Sequence, residues 1–471
     1  MVISCLIKGK NYVEKKLEVI IIEHILADCP TDFVLHYKIR GSFVLNQTVY
    51  SEYVKILREE LVEAMGCTEP IALAFAGAKA REILGAVPER IVAKCSGNML
   101  KNVRCVVIPN SGGMVGIATA VWLGVLGGNA SAEMEVLKDT DDEARRLMRE
   151  QVEAGTCKVE HLESNIPLHI IIECYKGEEN VKLEIRHSHI NVVNIAKNGK
   201  TIFQKDDDKE YSAVNPADRS LLNLPDIKEF ADTVKIDDVK ALLDKQINCN
   251  MDIAYEGMSG NFGVGLGRII KKSYPEGVVT RMKAYTAAAS EARMGGCEMP
   301  VVINSGSGNQ GITSSVPIIV YARERNFSRE KLYRALVFSN LMTIYQKKFI
   351  GCLSAFCGAV SASCSAGVAL TYINGGTLEM LAATVDNTMA NIPGILCDGA
   401  KVSCAAKIAT SLDAAIMAHY MAMNNSNYTA HTGILQDQAD HTISSVGYIG
   451  RVGMMQTDKE LINLLLADKQ V

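Results

Sequence analysis

What this chain lacks narrows it first. Among its 471 residues there is one tryptophan, aromatics make up 6%, and no stripe of Lys and Arg with interleaved aromatics stands out. With a net charge of -4, nucleic acid is a poor partner. No charged stretch followed by an apolar run and a small-residue cleavage site opens the sequence, which reads as a cytoplasmic protein. Neither of the two main Gly-rich turns ends in Gly-Lys-Ser/Thr, so a nucleoside-triphosphate loop is disfavoured. None of the fourteen cysteines forms a Cys-x-x-Cys pair, and a ferredoxin-type site is not indicated. Phe349–Leu378 carry no charge and could span a membrane by length. They are rich in Ser, Gly, Cys and Ala and poor in Leu, Ile and Phe, so buried helices are expected and no membrane partner.

What is present is a chain long enough for a large core and several domains, 48% hydrophobic and 22% charged. Its cysteines are not spaced like a secreted disulfide framework, and reduced, metal-binding or catalytic thiols are expected. The fold class expected is α+β. Residues 1–50 read as an N-terminal extension without assigned role, in which LEVIIIEHIL is a strand or short helix. Val106–Val121 and Val301–Val316 align without a gap, VVIPNSGGMVGIATAV against VVINSGSGNQGITSSV. This points to duplicated helix–strand–Gly turn–helix units in residues 51–135 and 250–320. Between them, residues 136–205 read as a small inserted α+β module, with a charged helix at Thr140–Glu153, alternating strands, and a turn at Asn198-Gly199. Residues 206–249 read as a linker and helices, and 321–471 as a mostly helical region.

The residues able to do chemistry cluster in three places. The first is Gly66-Cys67-Thr68-Glu69-Pro70, a tight corner before a helix. Pro70 suits the first helical position, with Thr68 or Glu69 as cap. The helix dipole and free N–H groups there would favour a Cys67 thiolate. The second comprises the Gly-rich turns at Ser111–Gly113 and Ser305–Gly308, natural anion sites where each opens a helix. Ser305, Ser307, Asn309 and Gln310 are candidates to hold a substrate carboxylate and amine. Glu69 either steers a substrate ammonium or only caps its helix. A further Gly-rich loop, Glu256–Gly265, offers Ser259 and Asn261 as lining. The third is Cys357, Cys397 and Cys404, two helix-associated cysteines and one on a loop after Pro393-Gly394. Spacing alone leaves them equally readable as inert buried thiols. Cys95, Cys105, Cys297, Cys352 and Cys364 read as structural, although Cys364, seven residues after Cys357 on the same helix face, could replace it.

The corner Gly66–Pro70, the segment Asn304–Gly311 and the Cys357, Cys397, Cys404 arrangement together resemble the L-cysteine desulfidase family, a relative of the iron–sulfur L-serine dehydratases. The resemblance runs from about residue 51 to the C-terminus. It implies a [4Fe–4S] cluster on Cys357, Cys397 and Cys404 with one open iron, and Cys67 as the base. The activity implied is conversion of L-cysteine to pyruvate, ammonia and hydrogen sulfide without pyridoxal phosphate. The partner is then a small amino acid; a homo-oligomer is left open. An L-serine or L-threonine dehydratase with the same cluster is the alternative, and a non-catalytic iron–sulfur sensor a third reading. His189, in HSHINVV, resembles a family His-Thr segment, but Ile190 replaces the Thr, and a surface strand histidine is the expectation.

Overall fold

The structure is a computed structural model and describes residues 45–205, 216–351 and 353–467. The N-terminal extension up to Val44, the centre of the polar linker (206–215) and Cys352 lie outside the described residues. The elements in chain order are α1 (Gln47–Glu60), β1 (Glu63–Met65), α2 (Thr68–Leu84), β2 (Arg90–Ser96), α3 (Gly97–Val103), α4 (Ile117–Gly127), α5 (Asp142–Glu153), β3 (Cys157–Leu162), β4 (His169–Lys176), β5 (Glu179–Arg186), β6 (Val192–Lys197) and β7 (Lys200–Gln204). There follow α6 (Leu224–Thr233), α7 (Ile236–Ser259), α8 (Leu266–Ser273), α9 (Val278–Met294), β8 (Pro300–Val302), α10 (Gly308–Glu324), α11 (Arg329–Ile350), α12 (Gly358–Ile373), α13 (Leu378–Asn391), α14 (Cys404–Met423), α15 (Ala439–Tyr448), a π-helical turn (Ile449–Gly453) and α16 (Met455–Ala467).

The architecture is α+β. A six-stranded sheet runs in the order β3-β2-β4-β5-β6-β7. β2 is parallel to β3 and antiparallel to β4, and β4 through β7 form an antiparallel meander. The β6–β7 turn falls on Asn198 (φ 51°) and Gly199 (φ 77°), where Asn and Gly tolerate the left-handed backbone. β2 comes from the stretch before α4, so the sheet is not made by residues 136–205 alone. A separate antiparallel pair joins β1 to β8.

Small residues let the helices approach closely. A side chain at Gly124 of α4 would meet the Ala74 carbonyl of α2 at 2.0 Å, so only glycine allows that contact. Gly367 of α12 lies against Ala415 of α14 in the same way. The uncharged stretch after Phe349 becomes a loop and then α12, buried among α10, α11, α13 and α14. No helix of the described residues is long and apolar enough to cross a membrane.

The two aligned stretches share a helix pair but differ between the helices. α2 packs on α4 much as α9 packs on α10. In the second stretch β8 leads through a turn directly into α10. In the first, β2 and α3 intervene, Val106 is not in a strand, and a single bridge between Val107 and Val115 closes the Gly-rich loop.

The second turn is anchored by buried amides. The Asn250 side chain on α7 donates to the carbonyls of Val302 (3.2 Å) and Gly311 (3.1 Å) and to the Ser315 hydroxyl (2.9 Å), while its oxygen accepts from the Val302 N–H at 2.8 Å. Asn304 Nδ2 reaches Asn340 Oδ1 at 2.9 Å. Replacing Asn250 with Ala removes the side-chain partner of the buried Val302 N–H and three of the bonds that tie β8 to α10. The expected loss is about 2–4 kcal/mol of stability, measured as a lowered denaturant midpoint.

Candidate active site

Four helix N-termini meet at one cavity of about 550 Å³. Cys67 is the N-cap of α2, Ser307 of α10 and Cys357 of α12, and Cys404 is the first residue of α14. All four line the cavity, together with Cys397, Glu69, Asn102, His189, Arg293, Ser305, Asn309 and Gln310. Cys67, the three candidate cluster cysteines, Glu69, Ser305, Ser307, Asn309 and Gln310 therefore border the same space. The first Gly-rich turn does not. Ser111 is spent within its loop, its hydroxyl bonded to the Met114 backbone, and Asn110 holds the Leu137 carbonyl. Ser259 bonds its own helix, and neither it nor Asn261 lines the cavity. Cys364 points instead toward Gln346 and Thr388 and does not border the site.

The corner before α2 depends on Gly66, whose φ of +57° and contact with Pro109 leave no room for a side chain; a Cβ there would sit 2.1 Å from the Pro109 ring. Cys67, not Thr68 or Glu69, is the cap, and Pro70 is the third helical residue. The thiol donates to Glu69 Oε2 at 3.1 Å. Burial, followed by the Glu69 charge, pushes the Cys67 thiol well up, although Arg293 pulls the other way. The expected low-pKa thiolate is therefore corrected to a thiol: enclosure and a neighbouring carboxylate outweigh the helix end. Glu69 also accepts from Asn102 Nδ2 at 2.9 Å. Its burial opposes ionisation, but the fields of His189 and Arg293 and the Cys67 hydrogen bond draw its pKa below the usual value.

On the opposite wall the three remaining cysteines are held by main chain. Cys357 N–H donates to the Ile395 carbonyl (2.8 Å) and Cys397 N–H to the Ala355 carbonyl (2.7 Å), so the two strands of loop are tied together. The backbone at Ala359, Gly399 and Lys401 draws Cys357, Cys397 and Cys404 toward the thiolate, and the Cys404 thiol donates to the Gly399 carbonyl at 3.7 Å. Cys397, and next burial, push the Cys357 thiol well up. The hydrogen bond from Cys357, opposed by burial and aided by Lys101, the Gly399 N–H and Lys407, brings Cys397 below the ordinary thiol value. Burial raises Cys404.

Among the described residues no group of three His, Cys, Asp or Glu is set to hold a single metal ion. The donor set nonetheless fits an iron–sulfur cluster: three thiols border one cavity, and the Lys101 and Lys407 charges act on Cys397. Hydrogen bonds to the sulfurs and local charge are the protein's means of supporting such a group.

The sequence missed Arg293 and Asn102 and misread His189. Arg293 lies within α9, where a charged residue in EARMGG suggests a solvent face; in the fold it is 2% exposed. His189 sits not on a strand but in the loop between β5 and β6, against Gly306, with its Nε2 enclosed. Burial, and next to it Arg293, lower its pKa, with Glu69 opposing.

Thiols and helix ends around one cavity suit an iron–sulfur dehydratase-type enzyme, the class to which the family match points. Residues 131–463 match the model of the serine dehydratase alpha chain family, and the chain belongs to that family. It is 46% identical over 418 residues to the UPF0597 protein of Desulfitobacterium hafniense (strain Y51), covering 88% of this chain and 97% of the relative. It is 42% identical over 429 residues to the UPF0597 protein of Treponema denticola, covering 90% and 100%. A third such protein, from Lachnoclostridium phytofermentans, is 42% identical over 419 residues, covering 89% and 100%.

In metal-free protein Cys397 is half-buried and the most acidic of the four site thiols, whereas Cys67 is enclosed and protonated. Alkylation by iodoacetamide should reach Cys397 first and Cys67 last, as read by peptide mass. Acidification should slow the Cys397 reaction, because protonation removes the nucleophilic thiolate. Faster labelling of Cys67 would contradict this order.

Proposed function

We propose that the protein is an iron–sulfur-dependent, pyridoxal-phosphate-independent lyase that converts L-cysteine to pyruvate, ammonia and hydrogen sulfide. The observation that carries this reading is the convergence of Cys357, Cys397 and Cys404 on the cavity that also holds Cys67 and Glu69. In this reading Cys357, Cys397 and Cys404 hold a [4Fe–4S] cluster. When bound, the cluster supplies an open iron as Lewis acid for the departing sulfur.

The protein's own residues then carry the proton. Cys67 Sγ takes the Cα proton while its thiol proton passes to Glu69 Oε2. The Cα–H electrons form the Cα=Cβ bond as the Cβ–S bond breaks, and sulfide departs. The 2-aminoacrylate released tautomerises and is hydrolysed to pyruvate and ammonia. Asn102, bonded to the other Glu69 oxygen, keeps that carboxylate aimed at Cys67. Ser305, Ser307, Asn309 and Gln310 bind the substrate backbone. Enclosure of the corner keeps water from competing for the proton.

A second reading, dehydration of L-serine or L-threonine at the same site, is favoured by the name of the matched family. Losing water and losing sulfide differ only at the β-substituent, a distinction one or two contacts can set. Sulfide release from L-cysteine should exceed pyruvate formation from L-serine in anaerobically prepared protein; the reverse order makes the protein a hydroxy-amino-acid dehydratase.

Replacing Cys357, Cys397 or Cys404 by Ser should remove most iron and acid-labile sulfide, whereas Cys364→Ser should leave both in place. Cys67→Ser should retain iron and sulfide but lower kcat by about 10²–10⁴-fold, the range of a lost general base. Full iron content in the Cys397→Ser protein would remove that residue from the ligand set.

A further inference from the structure

Two buried charges face the cavity without neutralising one another. Arg293 is 2% exposed and Glu69 8%. Arg293 makes one long hydrogen bond, Nη1 to Asn309 Oδ1 at 3.2 Å, and its Nε has no partner. Neither residue forms an ion pair among the described residues, although Glu69 feels the field of Arg293. Glu69 is met by neutral donors, the Cys67 thiol, the Thr68 hydroxyl and Asn102. Buried charges left unpaired are costly, and a protein keeps them where a ligand brings the countercharges.

The two charges belong to different walls. The guanidinium packs on Gly308, whose Cβ, if present, would lie 2.2 Å from Arg293 Nε. It therefore stands at the first turn of α10, which no side chain caps. Glu69 stands in the first turn of α2, beside Cys67. Gln310 of α10, whose side chain lies against Gly358 at the start of α12, adds an unpartnered acceptor, Oε1.

We propose that Arg293 and the first turn of α10 form the carboxylate subsite, and that Glu69 receives the ammonium, so that the cavity selects free α-amino acids as zwitterions. This rests on the amino-acid reading of the site, but concerns recognition and not turnover. With the carboxylate on α10 and the ammonium on α2, the Cα proton is left beside Cys67. The β-substituent is directed to the wall of Cys357, Cys397 and Cys404. Gln310 Oε1 is the second acceptor for the ammonium. Amides, esters and N-blocked derivatives, each lacking one charge, are excluded.

The test uses two probes that divide the zwitterion, 3-mercaptopropionate and cysteamine, titrated calorimetrically into the full chain prepared anaerobically. Arg293→Met should weaken 3-mercaptopropionate by about 10–100-fold, the worth of a charge-assisted bond, and leave cysteamine within about twofold. Glu69→Gln should do the reverse. Arg293→Met should also fold at least as stably as the natural protein, because an apolar chain replaces an unpaired buried charge. Arg293→Lys, which keeps the charge but loses the fork, should give an intermediate loss. Equal weakening of both probes by Arg293→Met, with a lowered Tm, would make Arg293 a structural residue and overturn the proposal, as would indifference of the natural protein to the probes' charge. Should the probes divide as expected while no sulfide or pyruvate forms from any amino acid, the subsite stands and the lyase reading falls.

Discussion

The constraint on which this structure turns is that four helices begin at the same place. A helix start carries unpaired N–H groups and a partial positive charge. Bringing those of α2, α10, α12 and α14 to one cavity makes a positive lining from main chain alone. Cysteines at three of these starts and serine at the fourth put short side chains exactly where the field is strongest. Larger residues would fill the space; acidic caps would neutralise it. The close crossings at Gly124 and Gly367 serve the same end, because helices that could not approach would aim past one another.

That shared field does not act equally on every group. Cys397 lies on a loop with lysines around it and moves toward the thiolate. Cys67 is enclosed and faces a carboxylate, and it holds its proton. The cysteines at helix starts, Cys67, Cys357 and Cys404, are all raised, and only the loop cysteine Cys397 is lowered, because desolvation and the nearest charge exceed the effect of the dipole, worth about 0.3–1 kcal/mol at a surface helix end. In the proposed chemistry this division is useful. On the wall meant for a cluster, Cys397 is the thiol drawn toward the anion. The wall meant for the Cα proton stores its own proton against Glu69 and exchanges it only when a substrate arrives.

Much of the site could be read along the chain because its pieces are short and local. Gly66 before Cys67 and Pro70 after it mark a corner followed by a helix, whatever lies around it. Asn304–Gly311 announces a turn and a helix start by its glycines. What could not be read depends on long-range packing. Pro70, taken as the first helical residue, put the cap one or two residues too late, at Thr68 or Glu69 and not Cys67, since the first three helical positions all tolerate proline. Arg293 is indistinguishable in sequence from a surface arginine; its burial is created by α10 lying across α9. β2 could be recognised as a strand but not as the partner of both β3 and β4, which requires knowing how residues 90–96 and 157–176 meet. His189 followed strand-like alternation, and only the fold shows the loop carrying it inward.

The cysteine wall also depends on a part of the chain remote from it. Lys101, its side chain almost wholly buried, is paired with Asp458 of α16 at 2.6 Å, and Asn98 donates to the same carboxylate at 2.8 Å. The Lys101 carbonyl lies so close to Gly399 that a side chain there would meet it at 2.3 Å. Lys101 also helps to lower the Cys397 pKa. A buried ammonium needs its anion, and here that anion comes from the final helix. α16 buries none of its own residues fully, so apolar packing holds it weakly and the ion pair becomes a principal tie. The last helix is therefore coupled to the loop that presents Cys397 through one lysine, with its charge facing the tail and its backbone facing the loop.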